Sequence, residues 1–354
     1  MLNKLMRRIY LKQFTGYLHG INLGGWLSQC EHSKQHHDEF ITESDIRRIA
    51  YWGMDHVRLP IDYEIIQTDQ GEVIEDGFRY IDNCLKWCGE YGLNMILDLH
   101  KTLGYTFDEY ETSADFFHSK EFQETFVDLW RELTRRYGKY ARRLSFELLN
   151  EVVDPIVAQI WNGIAERAVT VIRQDAPTIP ILIGGVENNS ISALKLLAMP
   201  HDENIVYNFH FYEPLIFTHQ SAYWIKEMPS DFSINYPNEY AEYCSKSEQY
   251  LPGLNYRLYR NLKSSEKADA KFFEAAFSEA VQIAEGRDVP LYCGEYGVID
   301  KADVFSTLRW YTDINSTFQK YGIGSAVWNY KGKDFGITGK HYEPIFNDLI
   351  KLLA

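Results

Sequence analysis

The chain has 354 residues, of which 45% are apolar and 24% charged, and its formal net charge is −14. That length exceeds one small domain and suits one elaborated β/α barrel with a large core. The acidic balance excludes nucleic acid as a natural partner, since phosphates need a basic face; no stretch approaches the about 18–20 apolar residues that cross a bilayer.

Aromatic residues make up 15% of the chain, with 25 Tyr and 8 Trp, a surplus that core packing absorbs by default and that flat ligands such as sugar rings also use. Cys30, Cys84, Cys88, Cys244 and Cys293 are odd in number and contain no zinc-type pair, so all five are expected as thiols. Lys4, Arg7, Arg8 and Lys12 are scattered through residues 1–17 with no apolar run or small-residue cleavage site behind them. The expectation is no signal peptide and a cytoplasmic location, or a secreted one if the chain has been trimmed.

Strand-like and helix-like runs alternate along the whole length, the pattern of a parallel sheet with crossover helices. The first strand is expected over 17–26, a helix over 42–52 capped by Thr42, and the second strand over 55–62. A helix over 77–91 repeats Phe78, Ile81, Leu85 and Cys88 at helical spacing, and the third strand covers 93–100. The clearest helix is 119–137, with Phe122, Phe126, Leu129, Leu133 and Tyr137 in one stripe. The fourth strand starts at Leu144 and ends at Glu151; Asp154-Pro155 then starts a helix to Arg173, Asp as cap and Pro where no N–H is needed.

The fifth strand is expected over 179–185, a shorter helix over 188–197 and the sixth strand over 205–212. There the rhythm breaks. Residues 213–267 hold seven Tyr, Trp224, Phe217, Phe232 and four Pro, too long for an ordinary connection, and are expected as a lid or small subdomain over the active face. A helix over 268–285, a seventh strand over 289–297, a helix over 303–321 with Phe305, Leu308 and Phe318 inward, an eighth strand over 324–330 and a helix over 344–353 follow. The expected fold is a single α/β chain, a (β/α)8 TIM barrel spanning 1–354 with an inserted subdomain after strand 6.

Polar residues gather at the ends of different strands: Arg58, His100, Asn150, Glu151, His210, Tyr212 and Glu295, with Trp328 on the last. Singly each has a plain explanation: an ion pair for Arg58, satisfied core histidines for His100 and His210, packing for Trp328. Strand ends of a closed barrel share one opening, however, so all eight can converge. Glu151 and Glu295, on strands four and seven, form a pair of carboxylates across a cleft, the apparatus of glycoside hydrolysis. One must be protonated to release the leaving sugar and the other ionised to attack, so their environments must differ. Arg58 is the candidate for holding Glu295 ionised, and Tyr212 for donating a hydrogen bond to it. Asn150 can grip a sugar hydroxyl, and Trp328 offers a flat face for a pyranose ring.

With Gly20-Ile21-Asn22-Leu23-Gly24-Gly25-Trp26, Arg58-Leu59-Pro60, Asp98-Leu99-His100, Leu149-Asn150-Glu151, His210-Phe211-Tyr212, Gly294-Glu295-Tyr296-Gly297 and Trp328-Asn329-Tyr330 in this order, the chain resembles the retaining cellulases of glycoside hydrolase family 5, in particular the clostridial endoglucanases of the cellulase C type. The resemblance implies Glu151 as acid/base, Glu295 as nucleophile, and Arg58, His100, Asn150, His210, Tyr212 and Trp328 as the supporting site. It implies an endo-β-1,4-glucanase acting by double displacement on cellulose, mixed-linkage β-glucan or derived oligosaccharides, with no cofactor or metal. Lys101 departs from the pattern, standing where many relatives have a second His. The carboxyl groups are then expected about 5–5.5 Å apart, against about 6.5–9.5 Å for inversion.

Three alternatives stay open. A β-mannanase or exo-β-1,3-glucanase would use the same fold and differ in loop contacts. A metal-dependent barrel hydrolase would want a cluster such as His-x-His on strand one, where the chain has His19-Gly20-Ile21. A non-catalytic carbohydrate-binding protein would be expected to have lost one carboxylate. Oligomeric state leaves no trace in the sequence.

Overall fold

The computed structural model describes residues 11–107, 115–252 and 267–354. Eight parallel strands close into a barrel: β1 (His19–Asn22), β2 (His56–Asp62), β3 (Asn94–Lys101), β4 (Leu144–Glu147), β5 (Ile181–Gly184), β6 (Ile205–His210), β9 (Leu291–Tyr296) and β10 (Gly324–Val327). Between β6 and β9, the two-residue segments β7 (Asn238–Glu239) and β8 (Lys267–Ala268) form an antiparallel ladder. The barrel strands are buried on both faces, which explains their nearly unbroken apolar runs.

The helices lie where periodicity places them. Ser119 accepts the Phe122 N–H and starts the helix Lys120–Tyr137, whose Phe126, Leu129, Leu133 and Tyr137 are buried. Asp154 accepts the Ile156 N–H and opens a 3-10 turn, Pro155–Val157, that runs into the helix Ala158–Asp175. Three expectations are corrected. The fourth strand stops at Glu147, so Asn150 and Glu151 stand in the turn beyond it and not on its last positions. The helix Val304–Tyr321 buries Trp310, Tyr311, Ile314 and Phe318, while Phe305 is 57% exposed. Phe305 stands one position, about 100°, off the buried stripe. Residues 188–197 are not one short helix: Glu187, Asn188 and Asn189 have left-handed φ of 54°, 55° and 55°, and a 3-10 helix, Ile191–Leu196, follows.

In the long segment after β6, helices Leu215–Thr218 and Tyr240–Tyr250 are described, and residues 253–266 lie outside the described residues. Ala222 of this segment joins Ile299, Trp328 and Phe335 in a buried cluster, with Tyr212, Trp224 and Ile225 packed against it. All five cysteines are free thiols, Cys84, Cys88 and Cys293 of them buried.

The end of the barrel where the strands begin is plugged by Phe14 and Tyr17, stacked at 4.1 Å and 7°, over a small cluster with Ile96, Leu182, Val206, Tyr292 and Ala326. Beside it His56 is held from both sides, by Asp55 Oδ1 at 2.6 Å and the Tyr292 hydroxyl at 2.6 Å. A Cβ on Gly20 would come within 2.2 Å of His56 Nε2, and retreat of the ring would break its two hydrogen bonds. Gly20→Ala is therefore expected to cost about 1–3 kcal/mol by overpacking, read as a lower urea midpoint at unchanged slope; an unchanged midpoint would show that His56 is not locked.

Candidate active site

Arg58, on β2, is fully buried in the barrel. Its Nε and Nη2 donate to Glu147 Oε2 and Oε1 at 2.7 and 2.8 Å, a two-pronged pair with a carboxylate of β4. Nη1 donates to Asn22 Oδ1 at 2.9 Å and to Glu295 Oε1 at 2.8 Å. Nη2 also meets Asn150 Oδ1 at 2.9 Å and Asp98 Oδ2 at 3.0 Å. One guanidinium thus faces three carboxylates from β3, β4 and β9. Burial works against its charge, and the attraction of Asp98, Glu147 and Glu295 outweighs it, so the arginine stays charged. Burial pushes Asp98 up to about 7 despite Arg58, and raises Glu147 as well.

The hydrogen bonds running outward from Arg58 fix orientation and tautomer. With its oxygen on Arg58, Asn150 points its amide nitrogen at His100 Nε2, 3.4 Å away. His100 Nε2 is then the acceptor, and Nδ1–H donates to Asp98 Oδ2 at 2.5 Å. Burial lowers the His100 pKa to about 4, which keeps the ring neutral as this pattern requires. His210 repeats the logic: Asn189 Nδ2 lies 3.3 Å from its Nε2, and its Nδ1 lies 2.7 Å from Glu151 Oε1. Burial takes His210 to about 4 as well, so it is a neutral ring donating through Nδ1.

Glu151 and Glu295 face each other beside that ring. One donor atom each from Glu151, His210 and Glu295 all lie within 4.8 Å of one another, and His210 Nδ1 is 3.6 Å from Glu295 Oε2. The two carboxyls are partnered differently. Glu295 receives Arg58 on Oε1 and the Tyr212 hydroxyl on Oε2 at 2.9 Å, so it is presented as an acceptor at both oxygens. Among the described residues no cation touches Glu151; burial raises its pKa, with the Asn188 hydrogen bond at 3.2 Å pulling the other way. The same three donors could be imagined around a metal ion, but Arg58 already sits on Glu295, and its positive charge opposes a cation there.

Local backbone explains how these groups are aimed. Glu151 itself has a φ of +33°, a strained value for a residue with a Cβ. The Tyr105 hydroxyl donates to the Glu151 carbonyl at 2.8 Å and accepts the Val153 N–H at 2.9 Å, clamping that bend. The left-handed run 187–189 is tied to the same stretch by Glu187 N–H to Val153 O at 3.2 Å and Asn188 N–H to Val152 O at 3.1 Å. Asn tolerates this backbone, and the turn brings Asn188 to Glu151 and Asn189 to His210. Trp328 lies parallel to His100, with centroids 6.0 Å apart and 4° between planes. It fits only because residue 24 is glycine: a Cβ there would be 2.5 Å from the indole.

All eight residues singled out in the sequence therefore meet at one end of the barrel. Sequence reasoning did not single out Glu147, Asp98, Asn208, Asn188, Asn189 or Tyr105. Glu147 offered a signal: an ionisable residue amid an apolar strand needs a buried partner. Asn208 completes that pairing, donating to Glu147 Oε1 at 2.8 Å and accepting the Gly294 N–H at 2.9 Å. Lys101, the departure in the motif, is buried with its ammonium 3.7 Å from Asp62 Oδ2.

Comparison with known proteins gives the same site a lineage. Residues 19–334 match the family described as Cellulase (glycosyl hydrolase family 5). Cellodextrinase A of Ruminococcus flavefaciens is 43% identical over 325 residues, covering 92% of this chain and 86% of that protein. Endoglucanase C of Acetivibrio thermocellus is 43% identical over 344 residues, covering 95% and 97%. Cel5A of Thermotoga maritima, solved in complex with cellobiose, is 25% identical with a TM-score of 0.73, covering 96% of this chain and 97% of that one. The chain belongs to glycosyl hydrolase family 5, the cellulases, and is a glycoside hydrolase.

Proposed function

We propose that the protein hydrolyses β-1,4-glucosidic bonds in cellulose, mixed-linkage β-glucan or oligosaccharides derived from them, with retention of configuration. The observation that carries this proposal is the close, unequal carboxylate pair. An approach of 4.8 Å or less between the nearest carboxylate oxygens of Glu151 and Glu295 fits the about 5–5.5 Å of retaining enzymes and falls short of the about 6.5–9.5 Å of inverting ones. Glu295 attacks the anomeric carbon while Glu151 gives its proton to the departing glycosidic oxygen. The glycosyl–Glu295 ester is then cleaved by a water whose proton passes to the Glu151 carboxylate, which restores both groups.

The surrounding residues take supporting roles. Arg58 and Tyr212 hold Glu295 in line for attack. Asn150, fixed by Arg58 and His100, has a second N–H with which to hold the hydroxyl next to the reacting carbon. Trp328 provides the flat wall for a pyranose ring, and Ala222, Trp224 and Ile225 of the inserted segment, packed on the same cluster, form part of the groove. The names of the relatives, an endoglucanase and a cellodextrinase, support a β-1,4-linked glucose chain as the substrate.

Reducing-sugar release on carboxymethylcellulose, barley mixed-linkage glucan, laminarin and mannan tests the substrate. Wild type is expected to cut the first two, and Glu295→Gln to cut neither. Preference for mannan or laminarin would overturn the β-1,4-glucanase proposal, and a fully active mutant would overturn the role of Glu295.

A second prediction concerns pH. Glu151 must be protonated to act as acid, so kcat/KM falls as pH rises through its pKa in the free enzyme. Asn188 stabilises the ionised form. Asn188→Ala is therefore expected to raise that pKa and move the alkaline limb to higher pH, while the acidic limb stays put. A limb unmoved, or moved to lower pH, would contradict the contact or the role of Glu151.

A further inference from the structure

A second constellation of donors lies away from the carboxylate pair, in the segment after β1. Cys30 and His32 belong to the loop, and His37 to the short helix Lys34–Glu39. Cys30 Sγ is 3.6 Å from His32 Nδ1, and His32 Nδ1 is 3.3 Å from His37 Nε2. One donor atom from each of the three lies within 4.8 Å of the others. Zinc binds Cys sulfur at about 2.3 Å and His nitrogen at about 2.0–2.1 Å; tetrahedral geometry then sets S···N edges of roughly 3.6 Å and N···N edges of roughly 3.3–3.4 Å. The two separations fixed here have those lengths.

The far side of His32 carries an independent mark of a ligand. Its Nε2 lies 3.2 Å from Oδ2 of the fully buried Asp62. A carboxylate behind an imidazole holds the proton on Nε2 and turns Nδ1 toward the sulfur, the arrangement that supports metal-bound histidines. His37 is also anchored: its carbonyl accepts the Trp26 indole N–H at 2.8 Å, and its ring meets Tyr80 edge-on at 5.3 Å. Cys30 and His32 are only partly covered, so a fourth position faces solvent.

We propose that Cys30, His32 and His37 form a zinc site with water as the fourth ligand. On binding, the Cys30 S–H, which now donates to the Trp26 carbonyl at 3.2 Å, and the Nδ1–H of His32, which its Asp62 and Cys30 contacts hold protonated, give their protons to solvent, and the thiolate and the imidazole nitrogen bond to the ion. The ion clips the loop after β1 to the end of β2 through His32 and Asp62. Asp62 also faces Lys101, the residue after His100, so the clip borders the mouth of the barrel without entering the Glu151–Glu295 pair. The same atoms could instead form a plain relay, His37 Nε2–H to His32 Nδ1 and His32 Nε2–H to Asp62; that alternative predicts no affinity for zinc.

The test is to strip the full-length protein with chelator, remove the chelator and titrate with zinc and then with cobalt(II). The expected result is one equivalent bound, a thiolate-to-cobalt charge-transfer band, and loss of both in Cys30→Ser and His37→Ala. Glu295→Gln should keep them, which separates this site from the carboxylate pair. In wild type alone, zinc should protect Cys30 but not Cys244, the other half-exposed thiol, from alkylation read by peptide mass. No saturable uptake, uptake unchanged in Cys30→Ser, or Cys30 alkylated equally with and without zinc would overturn the proposal.

Discussion

The constraint on which the site depends is the burial of one arginine. A guanidinium taken out of water is tolerable only when its donors are filled and its charge answered. Arg58 meets both conditions at once, spending its five N–H donors on Glu147, Glu295, Asn22 and Asn150, with the Asp98 carboxylate 3.0 Å away as a further countercharge. Those partners come from β1, β3, β4 and β9 and from the turn that follows β4. Lysine could not replace it, because a point charge has no planar fork to span the carboxylates. Removing a partner would leave a buried charge unanswered, typically about 3–5 kcal/mol. The polar interior is thus a single coupled unit, and Glu151 and Glu295 inherit their positions from it.

From that hub the asymmetry of the pair follows. Glu295 touches the arginine and Glu151 does not. Glu151 stands off on a strained bend, clamped by Tyr105, and among the described residues its carboxyl is partnered by the neutral His210 and Asn188. Both histidines are held neutral by burial, so they orient through hydrogen bonds without adding positive charge that would ionise Glu151. Two residues of one chemical type are thereby given different environments, as the proposed acid and nucleophile require.

The barrel was legible because its strands are short apolar runs with polar residues at their ends, and because helical stripes such as Phe126, Leu129 and Leu133 repeat without interruption. Residues at strand ends converge by geometry, so Arg58, Asn150, Glu151 and Glu295 could be named without knowing their contacts. What remained hidden depends on partners far along the chain. Glu147 is silent until Arg58, 89 residues away, is folded against it. Asn188 and Asn189 matter only because a left-handed turn aims them, and that turn is held by backbone bonds to residues 152 and 153. Cysteine spacing alone does not reveal the Cys30–His32–His37 constellation, because two of its three donors are histidines. Phe305 misled because an aromatic at a helix start is as easily exposed as buried.

The most direct test is to trap the covalent step. Incubation with a 2-deoxy-2-fluoro-β-cellobioside bearing a good leaving group should inactivate the enzyme, add the mass of one fluorocellobiosyl group, and place it on the peptide containing Glu295. NMR of the first product from an ordinary aryl β-cellobioside should show the β-anomer. An adduct on another carboxylate, or a first product in the α configuration, would contradict a nucleophilic Glu295 opposite a protonated Glu151.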